Sequence, residues 1–249
     1  MKKIFVVSDV HGHSTLLKEA LFRAGFDREN TDHLLVCCGD YFDRGNENAE
    51  VLKFFEQLKY KVLLRGNHED LLLKLLQTGK LQPHHYINGT MSTLQNFFGK
   101  YFIDPVEDAI DFSGKTRVVD RLCDFIEETV DYFETERYVF VHGWLPDKVT
   151  ISAECRMQRS ADWEKARWMK WTEHYKGESP LTDKIVICGH VPTFCAGSLV
   201  EDSKGSIFYG RGLIAIDAGT FDTKRINVLV LEDELLSVEK KTETKALTT

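Results

Sequence analysis

Before residue 70 the chain repeats one pattern three times: an apolar run, a polar Gly-containing segment, then a stretch with helical spacing. Ile4 to Ser8 leads into Asp9-Val10-His11-Gly12-His13 and a helical segment from Ser14 to Ala24, with Leu16, Leu17, Ala20, Leu21 and Ala24 in period and Ser14 placed to cap it. His33 to Cys38 leads into Gly39-Asp40-Tyr41-Phe42-Asp43-Arg44-Gly45. A helix is predicted over Glu47 to Leu58, where Val51, Leu52, Phe54, Phe55 and Leu58 form the apolar side. Val62 to Leu64 leads into Arg65-Gly66-Asn67-His68-Glu69. The order strand, loop, helix predicts an α/β sheet, and such sheets collect functional side chains at the carboxyl ends of their strands.

The texture then changes. Leu71 to Leu76 is helical, Pro83 to Thr90 reads as a loop, and Arg121 to Phe133 as an acidic amphipathic helix. Residues 70–134 are expected to form a mostly helical insertion covering the site, within a single domain over 1–249. A fourth strand, Arg137 to Val141, ends in His142-Gly143-Trp144, and a fifth, Lys184 to Cys188, ends in Gly189-His190-Val191-Pro192-Thr193. Between them a helix from Ala161 to Thr172 sets Trp163, Arg167 and Trp171 on one face. Period-2 runs follow at Ser206 to Tyr209, Leu213 to Asp217, Ile226 to Leu231 and Leu235 to Val238, with a polar tail from Lys240 to Thr249.

Composition narrows the function classes. With 249 residues, 43% of them hydrophobic, the chain can bury a full core. A net charge of -7 without a basic run argues against sequence-independent nucleic-acid binding, which needs dense Lys and Arg. The apolar stretch near Met1 is too short for a signal peptide or a membrane span, and no later stretch reaches spanning length. The six cysteines show no CxxC spacing, which fits reduced, buried thiols in a cytoplasmic protein. Cys37 and Cys38 are expected to pack on opposite faces of their strand.

Five strand ends thus carry Asp9 and His11, Asp40 and Asp43 with Arg44, Asn67 and His68, His142, and His190. Each alone has an ordinary reading, since an aspartate after a strand caps a helix and a single histidine packs as a satisfied imidazole. Together they point to one shared site. Imidazole, carboxylate and amide without thiolate suit Mn²⁺, Fe or Zn²⁺, and the number of groups exceeds what one ion needs. Two ions sharing a carboxylate can activate water for in-line displacement at phosphorus, with arginine on the remaining phosphoryl oxygens.

The series Asp9-x-His11-Gly12, Gly39-Asp40-x-x-Asp43-Arg44-Gly45, Gly66-Asn67-His68-Glu69, His142-Gly143, Gly189-His190 resembles the phosphoprotein phosphatase branch of the calcineurin-like metallophosphoesterases, its bacterial and phage serine/threonine phosphatase members above all. The resemblance implies an α/β/β/α sandwich and two divalent ions, most often Mn²⁺. It implies a first ion held by Asp9, His11 and Asp40, and a second by Asp40, Asn67, His142 and His190. It further implies His68 as the acid that protonates the leaving oxygen, Asp43 as its orienting partner, and Arg44 on the phosphate. Arg65 is expected to support substrate or the Asn-His loop, and Arg167, ahead of Arg159 and Arg156, to supply a second phosphate contact.

Two departures from the family pattern stand out: Ser8 where glycine is usual, and Trp144 after His142-Gly143, which is expected to wall the substrate cleft. The longer carboxyl-terminal extensions of eukaryotic members are not matched, so their regulatory partners are not carried over. The function implied is phosphomonoester hydrolysis on phosphorylated protein or a small phosphoester, by metal-activated water attacking phosphorus directly. Hydrolysis of dinucleoside polyphosphates is the alternative. A metal-bearing protein that binds partners through Trp144 and the insertion is a third reading, set against the intact His68–Asp43 pair. Neither membrane nor nucleic-acid partners are expected, and oligomeric state is left open.

Overall fold

The computed structural model describes residues 2–99, 103–104, 108–146, 161–181, 183–197 and 204–233. Two mixed sheets pack face to face. The first has the order β11–β1–β2–β3, from Leu229–Asp233 (β11), Lys2–Val7 (β1), His33–Cys37 (β2) and Lys61–Leu63 (β3). β1, β2 and β3 run parallel, with Val7 opposite Cys37 and Cys37 opposite Leu63, and β11 closes the edge antiparallel. The second has the order β6–β7–β8–β10–β9, from Tyr132–Glu134 (β6), Tyr138–Val141 (β7), Ile185–Cys188 (β8), Leu213–Ala215 (β10) and Phe208–Gly210 (β9). Here β7, β8 and β10 are the parallel strands.

Strand alternation assigns the layers. Ile4 and Val6 meet Val36, Cys38, Phe140, Ile187 and Ile214 between the sheets. Phe5, Val7 and Cys37 face the other way, toward helices Ser14–Arg23 (α1), Asn48–Gln57 (α2), Asn67–Thr78 (α3) and Thr116–Glu127 (α6). Val139, Val141, Val186 and Cys188 face Ala161–Trp168 (α7) and Trp171–His174 (α8) on the far side. This is the expected α/β/β/α sandwich, and Cys37 and Cys38 do split between its layers. Among the described residues no helix is long and apolar enough to cross a membrane.

Several local expectations are corrected. Ser14 does not cap α1; His13 occupies that position and the Ser14 hydroxyl is buried inside the first turn. α3 starts at Asn67, four residues before its apolar stripe, because Gly66 is extended and the Glu69 carboxylate accepts the Gly66 N–H at 2.9 Å. The segment read as a loop, Pro83 to Thr90, folds mostly into Pro83–Ile87 (α4), with proline in its first turn, and Thr90–Phe98 (α5) follows within the stretch expected to be mostly helical. A two-residue pairing, Ile103–Asp104 (β4) with Ala109–Ile110 (β5), follows. α6 ends at Glu127, and Tyr132 onward joins the second sheet as β6, because Phe133 and Glu134 pair with Phe140 and Val139. The helix expected over Ala161 to Thr172 breaks before Trp171. Leu235 to Val238, Cys155, Arg156 and Arg159 lie outside the described residues.

Candidate metal centre and active site

The loops after β1, β2, β3, β7 and β8 meet along one edge of the sandwich, and they meet in strained backbone. Asp9, His11, Asp40, Asp43, Arg44 and His190 all have positive φ, between 46° and 71°. Each such non-glycine residue costs on the order of 1–3 kcal/mol, which only dense surrounding contacts sustain. Those contacts are present: Asp9 N–H bonds Gly39 O, His11 N–H bonds Asp40 O, and the Glu69 carboxylate accepts N–H bonds from Asp40, Tyr41 and Gly66, each at 2.9 Å. Gly66 has to be glycine, since a Cβ there would lie 2.1 Å from Asp40 Oδ1.

Asp40 is 2% exposed and offers its two oxygens to different histidines. Oδ2 lies 3.7 Å from His11 Nε2 and 3.9 Å from His68 Nε2, while Oδ1 lies 3.4 Å from His142 Nε2. Two groups result, His11/Asp40/His68 and Asp40/His142/His190, each with its donor atoms within 4.8 Å of one another. Backbone carbonyls orient the imidazoles: His11 Nδ1–H donates to Phe42 O at 2.9 Å and His142 Nδ1–H to Cys38 O at 2.7 Å. A carbonyl only accepts, so each Nε2 keeps its lone pair for the interior, the usual preparation of a metal-binding histidine. His142 Nε2 then faces Asn67 Oδ1 at 2.9 Å, two acceptors in contact, which calls for a cation or a proton beside them. Asp9 fits the same picture. Its Oδ2 accepts from the Ser8 hydroxyl at 2.5 Å and from the His190 N–H at 3.0 Å, while Oδ1 is buried with no hydrogen-bond partner among the described residues. The donor set fits a pair of divalent ions sharing Asp40.

Electrostatics divide the histidines by role. Burial, then the charges of Arg44 and His68, pushes His11 well below the usual imidazole range, and burial with His142 pushes His190 down to about 3. His68 goes the other way. Burial alone would lower it, but Asp40 and the Asp43 hydrogen bond raise it to about 9. That bond joins His68 Nδ1 to Asp43 Oδ2 at 2.7 Å, and Arg44 Nη2 lies 3.5 Å from His68 Nε2 at the open side of the site. Burial opposes ionisation of Asp40, yet His142, His68, His11 and His190 together hold it well below the usual carboxylate range.

Arg65 packs beside the Asn67-His68 turn, as one of its two expected roles has it, and Arg167 is held by carboxylates. Both are buried around Asp70: Arg167 Nε bonds Asp70 Oδ2 at 2.7 Å and Nη1 bonds Asp131 Oδ1 at 2.5 Å, while Arg65 Nη1 lies 3.5 Å from Asp70 Oδ1 and Nη2 bonds Ile126 O at 2.5 Å. Two carboxylates occupy the Arg167 fork, so it serves the packing of α3 against α7. Trp144 is also corrected. It is 7% exposed, inside the core of the second sheet and stacked near His174, so it presents no docking face.

Sequence reasoning assigned no role to Glu69 and missed Asp217. Asp217 follows β10, its Oδ1 accepts the Gly219 N–H at 2.7 Å, and burial together with the charge of Asp9 pushes it well above the usual range. Its signal was an acid-glycine turn after one more apolar run, the same cue that exposed the other strand ends.

Comparison with known proteins follows the same lines. A family model described as calcineurin-like phosphoesterase matches residues 2–225. Serine/threonine-protein phosphatase 2 of Escherichia coli (strain K12) is 36% identical over 78 residues, 31% of this chain and 34% of that protein. The asymmetrical bis(5'-nucleosyl)-tetraphosphatase PrpE of Oceanobacillus iheyensis is 32% identical over 97 residues, 35% of this chain and 39% of that protein. The matched part therefore spans under two fifths of the length of these relatives. The cold-active protein-tyrosine phosphatase of a psychrophilic Shewanella shares the fold, with a TM-score of 0.58 at 17% identity over 94% of this chain and 76% of that one. On the match over residues 2–225, the chain belongs to the calcineurin-like phosphoesterase family.

Proposed function

We propose that this protein is a two-metal phosphoester hydrolase, acting first of all as a phosphomonoesterase of the protein serine/threonine phosphatase type. The observation that carries the reading is Asp40, whose two oxygens face separate histidine groups. Asp9, His11 and Asp40 would hold one ion, and Asp40, Asn67, His142 and His190 the other, with Mn²⁺ the first candidate. When bound, such a pair supplies Lewis-acid polarisation of the phosphoryl oxygens and lowers the pKa of water.

The side chains do the rest. Arg44, exposed at the open side, binds phosphoryl oxygens and offsets their charge. His68, whose Nδ1 is held by Asp43, delivers a proton from Nε2 to the leaving oxygen. Asp43 holds Nδ1–H and so keeps Nε2 turned toward substrate.

Similarity to the Escherichia coli phosphatase supports a phosphoprotein substrate, and similarity to the tetraphosphatase supports the second reading, hydrolysis of dinucleoside polyphosphates. Metal-stripped protein is assayed with Mn²⁺ restored, on a phosphoserine peptide and on diadenosine tetraphosphate, beside His68→Asn. The leading reading expects Mn²⁺-dependent peptide turnover, reduced about 10²-fold or more in the variant. Turnover of the dinucleotide alone would replace it with the second reading, and no turnover of either by metal-loaded protein would overturn both.

A further inference from the structure

α5 grips the loop that carries Asp43 and Arg44. Thr93 Oγ1 donates to Asp43 Oδ1 at 2.8 Å and accepts the Asp43 N–H at 2.9 Å, while Thr90 Oγ1 donates to Asp43 Oδ2 at 3.1 Å. Both threonines are buried, Thr93 at 0% and Thr90 at 1% exposure. The same helix bonds onward: Ser92 Oγ donates to Gly45 O, and Asn96 Oδ1 accepts the Asn48 N–H at 2.8 Å. Gly89, before the helix, has φ 78°, and a Cβ there would come within 2.8 Å of Arg44 N and Cα. These contacts surround a segment with no intrinsic preference for its own conformation, since Asp43 and Arg44 sit at φ 71° and 65°.

The residue types matter. Thr90 and Thr93 stand three apart on one helix face, where β-branched residues do not favour helix and valine would fill the same volume. The hydroxyls are what this face adds. A carboxylate held by one partner rotates broadly about its last torsion. Asp43 accepts on both oxygens, from two hydroxyls and from His68 Nδ1–H, so its plane is fixed.

We propose that Thr90 and Thr93 are positioning residues for proton donation: through Asp43 they set the direction of His68 Nε2, and thereby tie α5 to the chemistry. This rests on the phosphoester-hydrolase reading above. In the step concerned, the P–O bond to the leaving group breaks with its electron pair on the leaving oxygen. Water supplies the new oxygen on phosphorus as hydroxide after giving one proton to solvent, and solvent later returns a proton to His68 Nε2. The Nε2 proton passes to the leaving oxygen, and His68 ends neutral with Nδ1–H still on Asp43. A misaimed imidazole costs most where the leaving oxygen is most basic.

The test measures kcat and KM for Mn²⁺-loaded wild type, Thr93→Val, Thr90→Val and Thr93→Ser on two substrates: phenyl phosphate, with a basic leaving group, and 2,4-dinitrophenyl phosphate, whose leaving group needs no proton. Thr93→Val is expected to lower kcat on phenyl phosphate about tenfold with KM within about twofold, and to change the dinitrophenyl rate by less than about threefold. Thr90→Val gives the same pattern, weaker because its bond is longer. Thr93→Ser, which keeps the hydroxyl, recovers most of the phenyl phosphate rate. Equal losses on both substrates, or no loss on phenyl phosphate, would overturn the positioning role while leaving the hydrolase reading intact. Absence of wild-type turnover on both would take down the reading and this inference together. Should Thr93→Val lose its folded circular-dichroism spectrum, Thr90→Val decides the question.

Discussion

Asp40 Oδ1 lies 3.4 Å from His142 Nε2 while Asp40 Oδ2 lies 3.7 Å from His11 Nε2, so one carboxylate joins the motif from the first sheet to the motif from the second. Asp40→Asn keeps the shape and removes the charge. Metal analysis of reconstituted protein should then fall from about two ions per chain to one or none, with activity down more than about 100-fold. Two ions retained at full occupancy would contradict a bridging role.

Gly66→Ala tests the packing beneath that carboxylate. Its Cβ would sit 2.1 Å from Asp40 Oδ1 and 2.5 Å from Asp40 N. The loop has to move, which costs about 1–3 kcal/mol of stability and misplaces the ligand. Thermal denaturation and Mn²⁺ titration should both report the loss, and unchanged affinity would show that the loop has slack.

His68 gives metal-stripped protein a defined pH response. Its folded pKa of about 9 lies above the ordinary 6.5, with Asp40 and Asp43 stabilising the charged form against burial and the charge of Arg44. The sign follows: the contribution is complete below about pH 6.5, shrinks across the interval, and is gone above about 9. Tm of wild type minus Tm of His68→Asn should fall as pH rises through that window. A difference that stays flat or grows would mean the pair contributes nothing to folding.

Arg167→Met asks whether that guanidinium serves fold or substrate. Removing it takes one charge partner from Asp70, which keeps Arg65 Nη1 at 3.5 Å, and one from the buried Asp131. Such losses destabilise by roughly 3–5 kcal/mol. A lowered denaturation midpoint with KM near wild type is expected. A raised KM at unchanged stability would restore the substrate role expected from the sequence.

Much of the frame is legible along the chain because short-range physics writes it there. Continuous apolar runs mark β1, β2, β7 and β8, and glycine-containing turns mark where each strand hands over to the site. Asp9, His11, Asp40, Asn67, His68, His142 and His190 can be named from their positions at strand ends alone. That they converge needed the two sheets to stack, and the stacking itself is dictated by Ile4, Val6, Val36, Phe140 and Ile187 alternating toward a shared interior.

What the sequence did not disclose rests on partners distant along the chain. α5 is not singled out within the mostly helical stretch expected over 70–134, where Thr90, Ser92, Thr93 and Asn96 interrupt its apolar side, yet those residues hold it by bonding to Asp43, Gly45 and Asn48. β6 reads as the end of a helix until β7 offers it a ladder. Arg167 reads as a phosphate ligand until Asp70 and Asp131 fold around it. Local pattern determines which residues can form strands, turns and ligands. Which polar group answers which is decided only when the tertiary fold removes water and leaves each buried donor to the acceptor beside it.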